Sequence, residues 1–191
     1  MPLPKTLNSD NAAEQSTLNQ MESQELIIHI DWSGPHSYAD VASFRGPKDF
    51  GIYQVYGSHH VYGSDALLYI GKAERETFAD RFAQPDHAYW CGDNHDSGRL
   101  QIYVGRLFGE ATPDDETWNN YIDLAERLLI QAHRPAENKN LDLVKGKDQA
   151  LQHVHVLNRS QYRDLMPEVS GARWSSRFSF SNLPFTKHFS N

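Results

Sequence analysis

The chain has 191 residues, 39% of them hydrophobic and 12% aromatic, and a net charge of −7. That length and composition suit one domain with a real core and exclude a disordered chain, while the acidic total excludes unselective capture of nucleic acid by bulk charge. No apolar run approaches the ~20 residues that span a bilayer, and no basic-then-apolar leader opens the chain, so neither membrane insertion nor export is expected. The single cysteine, Cys91, allows no intrachain disulfide, and a reducing cytoplasm is the expected compartment.

In chain order, residues 1–24 are polar and without period and read as a flexible arm. Residues 25–191 read as one domain. Residues 25–32 (ELIIHIDW) have a strand pattern that Ser33-Gly34-Pro35 should break. Residues 50–56 and 66–70 are two further strand patterns, separated by turn-rich residues 57–65, which predicts an antiparallel pair. A short helix is expected over 77–83, with Thr77 and Asp80 approximating a capping box and Phe78 and Phe82 on one face.

Residues 100–107 (LQIYVGRL) predict a third strand of that sheet. Thr112-Pro113 then opens a long helix, with Pro113 in its first turn and Asp115 as cap. Trp118, Tyr121, Ile122, Ala125, Leu128, Leu129 and Ala132 form its apolar stripe, and Pro135 ends it. Residues 153–157 are strand-like. Residues 151–191 carry five basic side chains (Arg159, Arg163, Arg173, Arg177 and Lys187) against two acidic ones. A DNA partner would therefore meet a local basic face, with those arginines the expected backbone contacts.

Two tripeptides stand out: Gly51-Ile52-Tyr53 and Tyr69-Ile70-Gly71, followed in order by Arg81, Glu126 and Asn138. Over about residues 50–140 this ordered set resembles the core of the GIY-YIG nuclease superfamily. The resemblance implies an α+β fold with a three-stranded antiparallel sheet flanked by helices, here with an added N-terminal strand and a C-terminal extension over 141–191. It also implies a divalent-metal-dependent endonuclease that hydrolyses DNA phosphodiesters with Mg²⁺ or Mn²⁺. DNA is then the expected partner, with no membrane and with a homodimer as an allowed assembly. A catalytically idle scaffold that binds DNA or a protein is the alternative.

The candidate residues divide by chemistry. A strand tyrosine is ordinarily a packing residue, but the resemblance implies that Tyr53 holds and helps deprotonate the attacking water, with Tyr69 supporting water or phosphate. A phenol with pKa near ~10 needs a nearby cation to act as base at neutral pH. Lys72 reads either as a surface lysine or as a cation that contacts phosphate and lowers the tyrosine pKa. Arg81 offers planar donors suited to a phosphate. Glu126 lies between Ile122 and Ile130 on the helical wheel, at the margin of the apolar stripe, where a merely solubilising charge is poorly placed. The resemblance makes it the ligand of a single divalent cation.

Asn138 reads either as closing the site by hydrogen bonds or as capping the turn after the helix. His87 reads either as an exposed loop histidine or as the group that activates the first tyrosine. His87, Cys91 and His95, with Asp93 and Asp96, lack zinc-knuckle spacing, and no zinc is expected. Tyr53, Tyr69, Arg81 and Glu126 are expected to line one concave surface.

Overall fold

The computed structural model describes residues 25–85, 99–109, 112, 114–139 and 149–174. The arm expected over 1–24 lies outside them. The fold is α+β, and its sheet is larger than the sequence pattern implies. Six strands follow the order β3-β2-β4-β1-β5-β6: β1 (Leu26–His36), β2 (Gly51–His59), β3 (Gly63–Ala73), β4 (Gln101–Leu107), β5 (Val154–Ser160) and β6 (Glu168–Ser170). Antiparallel pairing joins β3, β2, β4 and β1 in turn, while β5 runs parallel to β1 and β6 antiparallel to β5. The three expected antiparallel strands are thus half of a mixed sheet.

Several boundaries moved for local reasons. β1 continues through Ser33-Gly34-Pro35 because its register against β4 shifts between Ser33 and His36, and a bulge absorbs the proline. The short helix α1 (Tyr38–Val41) had no apolar period to announce it and is held by a Ser37–Asp40 capping box. Helix α2 (Phe78–Phe82) begins behind Thr77, whose hydroxyl accepts from the Asp80 amide. Helix α3 (Glu116–His133) starts at the expected Asp115 cap, which accepts from Thr117 and Trp118, while Pro113 lies outside the described residues. Its end is set by Arg134, left-handed at φ 47°.

Side-chain alternation along the strands gives the sheet two apolar faces. On one, Ile28, Ile30, Trp32, Ile52 and Ile70 pack against Ile122, Ala125, Leu128 and Leu129 of α3. On the other, Tyr53, Val55, Leu68 and Val104 pack against Phe78 and Phe82 of α2.

The segment after β5 is bound to the sheet by polar contacts. The buried Asn158 accepts from Trp32 Nε1 at 2.9 Å and donates to the Met166 carbonyl at 2.7 Å. His133 Nε2 accepts from the Met166 amide at 2.8 Å, so Nδ1 carries the proton and donates to the Leu129 carbonyl at 2.9 Å. The Arg163 guanidinium lies 3.7 Å over the Tyr56 ring and pairs with Asp65 at 2.5 Å. Asn158→Ala leaves the Trp32 indole N–H and the Met166 carbonyl without their partner. It should cost about 2–4 kcal/mol, read as a lower urea midpoint at unchanged m-value.

Candidate functional site

The candidate residues meet at the β3 edge of the sheet. Tyr53 on β2 pairs with Gly71 on β3, and directly paired residues point to the same face. Gly71 contributes no side chain there, and the Tyr53 phenol occupies the gap. A Cβ at residue 71 would collide with the Tyr53 hydroxyl and stand 2.6 Å from Cε1 of Tyr69. The Tyr53 and Tyr69 rings stack with centroids 6.1 Å apart, and Phe82 of α2 meets Tyr53 edge-on at 4.8 Å. Glycine at 71 is therefore a steric requirement of the paired tyrosines.

Arg81 arrives from α2, on the Tyr53 face, and hydrogen-bonds the Tyr53 phenol. Its Nη1 also donates to Gln84 Oε1, and Gln84 Nε2 donates to Glu76 Oε2 at 2.6 Å, so the guanidinium is held from two sides. Glu126 arrives from α3, which covers the opposite face. Lys72, next along β3 from Gly71, points towards α3. Its ammonium lies 2.6 Å from Glu74 Oε2, 2.6 Å from Asp123 Oδ1 and 3.6 Å from Glu126 Oε2. Lys72, Glu74, Glu76, Arg81 and Glu126 together line an open pocket of about 270 Å³. Of the four residues expected on one concave surface, Arg81 and Glu126 line this pocket; Tyr53, fully buried, and Tyr69 do not.

The electrostatics separate the two acidic candidates. Burial, reinforced by the Tyr69 phenol, pushes Tyr53 well above the ordinary tyrosine value, with Arg81 opposing. Tyr53 thus keeps its proton, the opposite of what a base needs, and its oxygen accepts from the Arg81 guanidinium. Burial also pushes Glu126 up to about 7, against the pull of Lys72 and with the Asp123 and Glu74 charges adding to the rise. Partial burial works against the Lys72 ammonium, but its bonds to Asp123 and Glu74 outweigh that and raise it.

The other candidates lie elsewhere. The Asn138 amide spans the outer edge of β3, accepting from the Ile70 amide at 3.0 Å and donating to the Ile70 carbonyl at 2.9 Å. Neighbouring bonds from Ala136 to Leu67 and Glu137 to Leu68 extend the same pairing. It braces the strand that carries Tyr69 and Gly71, and neither lines the pocket nor caps the helix. His87 lies outside the described residues, as do Cys91, Asp93, His95, Asp96 and Arg177.

Arg159 sits on β5, four strand spacings from β3, or about 19 Å across the sheet. Arg173 follows β6 on that far side, and Arg163 is taken up by Tyr56 and Asp65. Among the described residues, the expected basic side chains are therefore not beside the pocket. What the sequence reading missed is acidic: Glu74, Glu76 and Asp123. Two cues exist, since Glu74 and Glu76 alternate with Lys72 just after the glycine, and Asp123 precedes Glu126 by three residues on one helix face.

Comparison of the chain with protein-family models, curated proteins and solved structures gives no match. Among the described residues, no helix is long and apolar enough to cross a membrane, and no three His, Cys, Asp or Glu side chains converge as metal ligands.

The Glu126 carboxyl has a consequence for stability. The unfolded chain releases this proton near the ordinary value of 4.5, whereas the native state keeps it to about 7. The native state binds more protons across that interval, so stability falls as pH rises through it. Glu126→Gln should therefore stabilise the protein at pH 8 by up to ~3 kcal/mol and change little at pH 4.5, in paired urea titrations.

Proposed function

We propose that the chain is a GIY-YIG-type endonuclease hydrolysing DNA phosphodiesters with a divalent cation, working in the cytoplasm as a monomer or homodimer. One observation carries the reading. Arg81 from α2 and Glu126 from α3 belong to opposite faces of the sheet, yet line one pocket beside Lys72 and Gly71. A core needs no such convergence of a guanidinium, an ammonium and a largely buried carboxyl at a sheet edge.

The residues fit Mg²⁺ or Mn²⁺. Glu126 is an oxygen donor whose nearest cation, Lys72 Nζ, stands 3.6 Å away, and burial holds its carboxyl half-protonated near neutral pH. Added positive charge is the remedy. Mg²⁺ is commonly held by one or two carboxylates, waters and substrate phosphate, so a cluster of three protein ligands is not required. Bound at Glu126, the cation would supply charge compensation for the leaving oxygen.

The chain's own residues do the rest. Arg81 presents planar donors to the phosphate oxygens, and Gln84 fixes its direction. Tyr53, protonated, accepts a hydrogen bond from the Arg81 guanidinium and so helps to keep it in place. Tyr69 stacks on Tyr53 and supports its ring. Lys72 can reach a phosphate once its carboxylate partners are otherwise engaged.

The second reading, a scaffold that binds DNA or a protein without cleaving it, also has an observation in its favour. Lys72 is already paired with Glu74 and Asp123, and Arg81 lies 4.0 Å from Glu76, so the pocket's cations face carboxylates before any phosphate arrives. Nicking of supercoiled plasmid separates the two. The endonuclease reading expects nicking with Mg²⁺, none with EDTA, and at least a hundredfold loss in Glu126→Gln. Mg²⁺ should also raise the melting temperature of the wild type at pH 8 and not that of Glu126→Gln. A nicking rate unchanged by Glu126→Gln would contradict it.

A further inference from the structure

The hairpin joining β2 to β3 turns over residues 60–62, far along both strands from Tyr53 and Gly71. Val61 and Tyr62 are 68% and 69% exposed there. The His59 ring stacks on Tyr62, with centroids 4.9 Å apart and 25° between planes, and lies 4.4 Å from His60. His59 Nδ1 accepts from the backbone amides of Val61 at 3.2 Å and Tyr62 at 3.3 Å, which fixes the ring before any ligand arrives. In a chain of net charge −7, residues 57–63 contain no acidic side chain. The nearest one along β3, Asp65, is neutralised by Arg163 at 2.5 Å.

We propose that His59, His60 and Tyr62 form a stacking platform for an unpaired nucleobase. The proposal rests on the nucleic-acid reading of the β3-edge pocket. Aromatic faces held in place and free of negative charge are what stacking on a base requires, whatever the base. A protein partner would need a contiguous patch of several hundred Å², and this turn offers only a few side chains. His59 is six residues along β2 from Tyr53, about 20 Å of strand. Successive bases on one strand rise ~3.4 Å, so the stacked base lies about six nucleotides from a phosphate in the pocket. The hairpin that carries both tyrosines would then also set the register of the nucleic acid.

The test uses the full chain in EDTA with single-stranded oligonucleotides, DNA and RNA, carrying the fluorescent base 2-aminopurine. The wild type should bind and quench the fluorophore. Tyr62→Ala should bind about tenfold more weakly and lose the quenching, while Tyr62→Phe keeps both, each variant having wild-type circular dichroism. Binding and quenching by Tyr62→Ala equal to wild type would overturn the platform. Plasmid nicking with Mg²⁺, measured in parallel, would then show whether the pocket reading survives. A wild type that binds no oligonucleotide and nicks no plasmid would remove both.

Discussion

The Tyr53 ring reaches across an edge strand, and it can do so only because residue 71 has no side chain. That single omission organises the site. With the phenol lying in the Gly71 gap, the hydroxyl comes within reach of Arg81 on one face, while Lys72 and Glu126 approach from the other. The β3 edge is also where unpaired strand groups would invite pairing with another chain. Asn138 and the backbone of residues 136–137 cover that edge, leaving its Gly71 end for the pocket. Strand bracing and pocket formation are thus two uses of one edge.

The pocket is electrostatically costly to the fold. Glu126 is a largely buried carboxyl whose ionised form the native state disfavours, and Glu74, Glu76 and Asp123 add negative charge around it. A structure selected only for stability has no reason to keep a carboxyl between Ile122 and Ile130 on a packed helix. Such residues persist where the charged form serves a ligand, and functional sites are commonly paid for in stability. The same carboxylates occupy Lys72 in the absence of substrate. On the proposed reading, an acidic protein acting on an acidic polymer needs a cation to reverse the local field, which agrees with a total charge unsuited to nonspecific binding.

Much of the scaffold was legible in the sequence because it follows strong local rules. β-type runs marked the strands around Tyr53, Tyr69 and Val104, and the stripe from Trp118 to Ala132 marked α3. Pairing was less legible: β5 lies parallel to β1 through contacts more than a hundred residues apart, and no local pattern encodes such a partner. Ser33-Gly34-Pro35 misled because a bulge lets a strand continue past a proline. At the site, the identities of Tyr53, Arg81 and Glu126 were readable, but their electrostatic roles were not. Only burial shows that Tyr53 is pushed up and keeps its proton. Glu74 and Asp123 became visible only when Lys72 was placed between them.

The central claim is that Glu126 holds a divalent cation beside a phosphate bound by Arg81. Anomalous diffraction from crystals soaked with Mn²⁺ and a non-hydrolysable phosphorothioate dinucleotide tests it most directly. The expected result is a manganese peak within ~2.2 Å of a Glu126 carboxylate oxygen, with a phosphate oxygen in hydrogen-bond reach of Arg81. The Lys72 ammonium should have moved away from Glu126. A manganese peak at other residues, or a phosphate bound with Glu126 still facing Lys72 alone, would contradict the account.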